Sequence, residues 1–380
     1  MVNLTLAVGG LWGTIINWFM SFIPNFGVTI IIITVLIKLL MSPLEVHQKI
    51  TAKKNAEKQA ILQPKLEKLQ KQYGNNKQLL NQKQMELYKK ENYNVMGSCF
   101  GMLINLVLTL TIFITLFSSI NAISQNNIKQ EYTTLQNEYV TVYKNNLATN
   151  GNITITDNMT FEQIETALSN AGLSTDEIAS LKASASANAS KQTSIKYGEI
   201  KEGFLWIKNI YRPDTWASVF PSADEFVAIS GINFNNVSAE NVYTDILGNT
   251  YETKDTAITA FKNDFNLVTA DIQKDYTGWN GLLILVILAA GVTVLSQIIT
   301  TISTKAKKQY DKKGNELETK APSSKLMLIL LPVLMLIFAI QYSAAFALHI
   351  VVNSVMSVLI GYVTTLVMNK IEKRKALKNK

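Results

Sequence analysis

Long stretches without a single charge dominate the pattern. No Asp, Glu, Lys or Arg precedes Lys38, and none occurs in residues 92–128, 276–304 or 326–369. The last three run for 37, 29 and 44 mostly apolar residues, and roughly 20 suffice to cross a bilayer. Hydropathy places membrane spans at 27–43, 96–118 and 278–302, with two more inside 326–368. As one helix that last region would be about 65 Å long at ~1.5 Å per residue, too long for one crossing. It is expected to turn near Gln341-Tyr342-Ser343, giving spans at 326–342 and 347–368. The predicted fold class is an all-α polytopic membrane protein with a five-helix transmembrane bundle.

Between the spans the periodicity changes. In residues 11–23, Trp12, Ile15, Ile16, Phe19, Phe22 and Ile23 recur at helical spacing, with Gly13, Asn17 and Ser21 opposite. With no charge on either face this is an interfacial helix or a sixth span; Pro24 and Gly27 favour an interfacial helix within 1–26. The first span is expected to stop at Ser42-Pro43. In 44–95, Leu62, Leu66 and Leu69 mark one helical arm, Gly74-Asn75-Asn76 a turn, and Leu80 with Leu87 a second arm. Pro64 is expected to begin or kink a helix. Residues 119–277 are rich in Asn, Thr and Ser, but FLWI at 204–207 and FVAI at 226–229 are apolar enough for a small folded unit. ASASANAS at 183–190 reads as a flexible tract.

Charge then assigns sides. Residues 44–95 are net +6, 303–325 net +4 and 369–380 net +5, whereas 119–277 is net −8. Under five spans the three basic segments share one side, so the positive-inside rule puts the N-terminus out and the C-terminus in. Residues 44–95 become a cytoplasmic helical hairpin, 119–277 an extracytoplasmic insert, 303–325 a cytoplasmic loop and 369–380 a basic cytoplasmic tail.

The chain's inventory excludes much chemistry. Two histidines, His47 and His349, and one cysteine supply neither a His/Cys metal site nor a Ser-His-Asp triad. No glycine is followed by lysine, which removes a Walker A loop. The expectation is a protein that is not an enzyme and needs no cofactor, acting non-covalently or through a partner.

One residue breaks the first span. Lys38 lies five residues before Pro43, where a lysine either snorkels to the headgroups or faces a wet interior. Other spans carry polar residues of their own: Asn105, Thr109 and Thr111; Ser296 and Gln297; Asn353, Ser354 and Ser357. Each by itself is explained by a helix–helix hydrogen bond. Taken together with the lysine, they are candidates to line a polar groove.

Several segments resemble the YidC/Oxa/Alb membrane-protein insertases. They are IIIITVLIKLLMSPL (30–44), LQPKLEKLQKQYGNNKQLLNQKQMELYKKENYNVMGSCFGMLINL (62–106) and LHIVVNSVMSVL (348–359), with FLWIKNIYRPDTW (204–216) and LPVLMLIF (331–338). The resemblance implies five spans around a groove open to the cytoplasm and to lipid. Lys38 falls where the family carries a groove arginine, keeping the charge without the bidentate fork. Asn105 and Gln297 match polar positions of the family, and His349 falls where an aromatic is common. The loop between the second and third spans departs from the pattern through inserts at about 121–200 and 217–277.

The function this implies is a membrane protein insertase and chaperone. It would take nascent membrane proteins into a hydrophilic groove and release them laterally into membrane lipid without nucleotide hydrolysis. Candidate further partners are the ribosome, through the tail 369–380, and the Sec translocon; DNA is not among them. The alternatives are a transporter or channel with a solute path through Lys38, and a surface-sensing scaffold built on 119–277. The expected location is the bacterial cell membrane.

Overall fold

The computed structural model describes residues 10–91, 93, 95–156, 159–304 and 325–378. Most of the basic segment 303–325 therefore lies outside the described residues, as do the side chains of the tail from 371 onward. The described residues are mostly helical. They form two compact units, one centred on 119–283 and the other on 16–118, 284–341 and 346–380.

In the second unit, α1 (Gly10–Met20) begins before the unit boundary and is 11 residues long. Next comes α2 (Phe26–Tyr73), 48 residues, whose N-cap Asn25 accepts from the Val28 amide. The break expected at Ser42-Pro43 does not occur, and Pro64 also lies inside the helix. The physical reason at Pro43 is local. A proline cannot donate to the carbonyl four residues back, here that of Leu39, but the Ser42 hydroxyl donates to that same oxygen at 2.8 Å. Gly74 closes α2, and Asn76 caps α3 (Lys77–Lys90) by accepting from the Leu79 amide. Lys65 pairs with Glu91 at 2.6 Å, and the Gln59 amide donates to the Tyr93 hydroxyl.

Then follow α4 (Val95–Gly151), α9 (Ile284–Thr304), α10 (Lys325–Gln341) and α11 (Ala344–Lys378), named in chain order with α5–α8 between them. Among the described residues, four helices have stretches long and apolar enough to cross a membrane: Phe26–Tyr73, Val107–Gly151, Ile284–Ile302 and Ala344–Lys370. Within α10, Pro332–Gln341 is a shorter apolar stretch. The chain is thus a mostly helical, multi-pass membrane protein.

The first unit takes up the end of α4 and adds α5 (Phe161–Asn170), α6 (Thr175–Ile200), α7 (Ala223–Ser230) and α8 (Lys254–Asp275). A two-residue antiparallel ladder, Tyr243–Thr244 on Thr250–Tyr251, interrupts the helical pattern. Thr160, Ser174 and Ser222 open α5, α6 and α7 with reciprocal capping boxes to Gln163, Glu177 and Glu225. Aromatic packing forms the core: Tyr132 stacks on Phe265 at 4.9 Å between centroids, and Phe226 lies 5.0 Å from the same ring. ASASANAS is not a flexible tract; it lies inside α6, with Ala185 and Ala189 buried. Small residues one turn apart let α6 approach α8 closely. There the Thr193 hydroxyl donates to the Val268 carbonyl at 2.7 Å, and Ser190 Oγ accepts from the Asp271 amide. Packing outweighs the poor helix propensity of serine.

The segment 204–216 is the tie-point of this unit. Asn209 accepts and donates through its backbone with the Asn280 side chain, and Asn280 Nδ2 also donates to the Pro213 carbonyl. Asp214 accepts from the Leu282 amide, just before α9, while the Arg212 carbonyl accepts from Ala344 at the start of α11. Glu131 is buried beside it and accepts from Asn209 Nδ2 at 3.2 Å.

Burial drives the Glu131 carboxyl up to about 8, with Asn209 and the cations Lys201 and Arg212 opposing and Glu202 reinforcing. Burial likewise raises Asp264 to about 7, opposed by bonds from the Ile246 amide and Tyr243 and reinforced by Asp245. A raised carboxyl pKa means that the folded state holds protons the unfolded state releases. The cost of ionisation therefore grows as pH climbs past the unfolded value, and it is complete above the folded one. The melting temperature of the full chain in detergent should fall between pH 5 and pH 8. Glu131→Gln, which keeps the acceptor for Asn209, should flatten that slope and raise stability at pH 8 by about 1–3 kcal/mol.

Candidate functional site

The site grows from one face of α2. Taking Lys38 as the reference and ~100° per residue, Thr34, Glu45 and Lys49 all fall within about 40° of it. Leu36, Leu39, Leu40 and Leu44 fall on the opposite arc, and all four are exposed, Leu40 at 80%. The lysine therefore points to the side of α2 that the unit covers. Its side chain is 12% exposed and donates to Glu45 at 2.5 Å; that of Glu45 is 23% exposed.

One turn before Lys38, Thr34 is buried. Its hydroxyl donates to the Ile30 carbonyl at 2.6 Å and shares a 2.9 Å bond with Nδ1 of buried His349 on α11. With the hydroxyl proton committed to Ile30, the ring nitrogen is the donor. A second bond joins α9 to α11: Thr293 and Ser354, both buried, lie 3.1 Å apart. Further along, Gly361 of α11 sits where Lys49 Nζ and Ile299 Cγ2 come within 3.0 and 3.2 Å of the place a Cβ would occupy. Contacts thus advance together, 34 to 49 on α2, 293 to 299 on α9 and 349 to 361 on α11, so the three helices run parallel.

That register builds layers. The first holds Thr34 and His349, whose hydroxyl and ring are paired. Four to five residues on, the second holds Lys38, Asn353 and the paired Thr293 and Ser354, with Gln297 about a turn further along α9. Gln297 Nε2 is buried with no hydrogen-bond partner among the described residues, so it is a donor with unused capacity. Asn353 and Ser296 are half-buried, and the Asn353 carbonyl accepts from Ser357 Oγ at 3.0 Å. The third layer is charged, with Glu45 and Lys49, the latter buried.

The sequence-predicted residues fare differently. Lys38, Gln297, Asn353 and Ser354 lie on the three parallel helices, with Ser296 adjoining. Thr109 lies on an exposed stretch of α4 with Val107, Leu108 and Leu110. The side chain of Asn105 lies outside the described residues. Residues the sequence reading passed over are Thr34, Glu45, Lys49 and Thr293, together with His349, which it left unassigned. For the charged pair a signal existed: seven residues separate Lys38 from Glu45, two helical turns on one face. For His349 none did, because its partner is 315 positions away. Among the described residues no His, Cys, Asp and Glu cluster could hold a metal ion.

Parts of the chain are similar to known proteins. The family model described as 60Kd inner membrane protein matches residues 18–165. Membrane protein insertase YidC of Fusobacterium nucleatum subsp. nucleatum is 40% identical over 100 residues, 26% of this chain and 47% of that protein. The chain spans about half the length of that curated relative. The fold defines the class, a multi-pass helical membrane protein, here with a charged and polar face on α2 opposite its exposed leucines. More particularly, part of the chain is similar to 60Kd inner membrane proteins and to a YidC membrane insertase.

Thr34→Val removes the partner of a buried imidazole while keeping its shape. It should destabilise the chain by about 1–3 kcal/mol, read as a lowered melting temperature in detergent, whereas Leu40→Ala on the exposed arc should change it little.

Proposed function

We propose that the chain is a membrane protein insertase and chaperone working without nucleotide hydrolysis. Five helices, with α10 as the fourth, span the bilayer with the N-terminus out and the C-terminus in. Lys38 and Asn353, with Gln297 about a turn further along α9, line a groove open to the cytoplasm. The observation that carries this reading is the direction of Lys38, a cation set opposite the exposed leucines of its own helix.

The mechanism follows from solvation. A nascent chain's polar outer tail cannot cross dry hydrocarbon, where each unsatisfied backbone group costs several kcal/mol. In the groove, the Lys38 ammonium attracts its carboxylates, and the Gln297 and Asn353 amides stand in for water. Ser296 and Ser354 line the same helices and Thr109 and Asn105 the second span. The apolar segment then leaves laterally, and its burial in lipid drives the step. The α2–α3 hairpin, basic and solvated, meets the nascent chain first. The tail 369–380 reaches ribosomal RNA or anionic lipid through charge, and the Sec translocon is a further candidate partner.

Charge at position 38 is the test. Lys38→Ala and Lys38→Glu should lower insertion of substrates with acidic outer tails by about tenfold or more in a depleted host, with Lys38→Arg close to wild type. Photocrosslinking from position 38 to stalled nascent membrane proteins should report contact. Full insertion by the Glu variant would end the electrostatic role. Solute flux through proteoliposomes holding this chain alone would favour the transporter reading instead.

A further inference from the structure

Glu45 is the first acidic residue of the chain, and it lies beside the first cation. Lys38, Glu45 and Lys49 form one stripe of α2, about 10 Å and 6 Å apart along the axis. Glu45 therefore has a lysine on each side. It pairs with Lys38 seven residues back, across the Ser42-Pro43 step, and Lys49 stands four residues ahead. Glutamate four residues before lysine is the favourable orientation for a helical ion pair. Lys49 Nζ lies 3.0 Å from where a Cβ on Gly361 of α11 would stand.

This arrangement has a consequence for whatever carboxylate reaches Lys38. The ammonium is already neutralised, so an incoming acid must displace Glu45. Breaking a partly buried pair leaves an uncompensated charge and is strongly unfavourable. That penalty is reduced when the displaced carboxylate has a second cation within reach on the same face, and Lys49 is that cation. The number of ion pairs is then conserved through the exchange. A neutral polar segment offers nothing in return for Glu45 and leaves the resident pair intact.

We infer that Glu45 is an exchangeable internal counterion, a specificity-determining residue that sets how strongly a polypeptide carboxylate must compete to occupy Lys38, with Lys49 receiving it on displacement. This rests on the groove reading above and assigns a selectivity filter to that site: acidic polypeptide segments exchange with Glu45, neutral ones do not.

The experiment measures binding separately from insertion. The full chain in detergent is titrated with two fluorescent peptides of one transmembrane substrate, identical except for two Asp or two Asn in the outer tail. Glu45→Gln should tighten binding of the Asp peptide by about fivefold, the order of a partly exposed ion pair, and leave the Asn peptide unchanged. Lys49→Gln should weaken the Asp peptide alone, and the preference for Asp should shrink as salt rises. Equal loss for both peptides in Glu45→Gln, or no change in their ratio, would overturn the inference. Should Glu45→Gln melt early, Glu45→Asp, which keeps the charge on a shorter stem, must shift the ratio the same way by a smaller factor. An unchanged ratio there also overturns it. If the peptides exchange as expected while proteoliposomes insert no substrate, the insertase reading fails and the counterion role stands.

Discussion

A lysine inside a membrane-crossing helix has to be neutralised, hydrated or led to the surface, and that demand organises one whole unit of this protein. Here the ammonium is neutralised by Glu45 of the same helix, two turns on. The pair occupies the arc of α2 that the unit covers, and the opposite arc is exposed leucine. Placing the charge inward obliges the neighbouring helices to bring polar groups to the same level, and α9 and α11 do so. The Thr34–His349 and Thr293–Ser354 bonds set the height at which those groups arrive. Parallel register then puts Asn353, Ser354 and Thr293 level with the lysine.

A membrane-crossing cation paired within its own helix differs from one paired across helices. An interhelical partner would lock two helices together, whereas an intrahelical one does not. Bonds that link the helices are made instead by hydroxyls and an imidazole, without formal charge.

The unit built on 119–283 obeys another constraint. Its segment 204–216 carries Asn209, Arg212 and Asp214 to the points where the chain turns into α9 and α11, and Asn280 closes the knot. Glu131 sits inside that knot with a raised pKa, the mark of a carboxyl kept for its acceptor atoms rather than its charge.

Much of this architecture was legible along the chain. The uncharged runs gave the long apolar helices because hydrocarbon tolerates few charges, a rule local to each segment. Gly74-Asn75-Asn76 signalled the turn between α2 and α3 because turn chemistry acts within a few residues. Lys38 declared itself by interrupting an apolar run. The continuation of α2 through Pro43 was local too, turning on one serine hydroxyl that reaches a carbonyl three residues back. Other features depended on neighbours far away in sequence. The order in ASASANAS came from α8, which uses those small side chains as a packing surface. The meeting of Thr34 with His349, and so the height of Asn353 beside Lys38, was decided by how the helices slide along one another. Composition fixes which groups must be hidden from lipid, while the depth at which they find one another is a property of packed helices, which no single segment encodes.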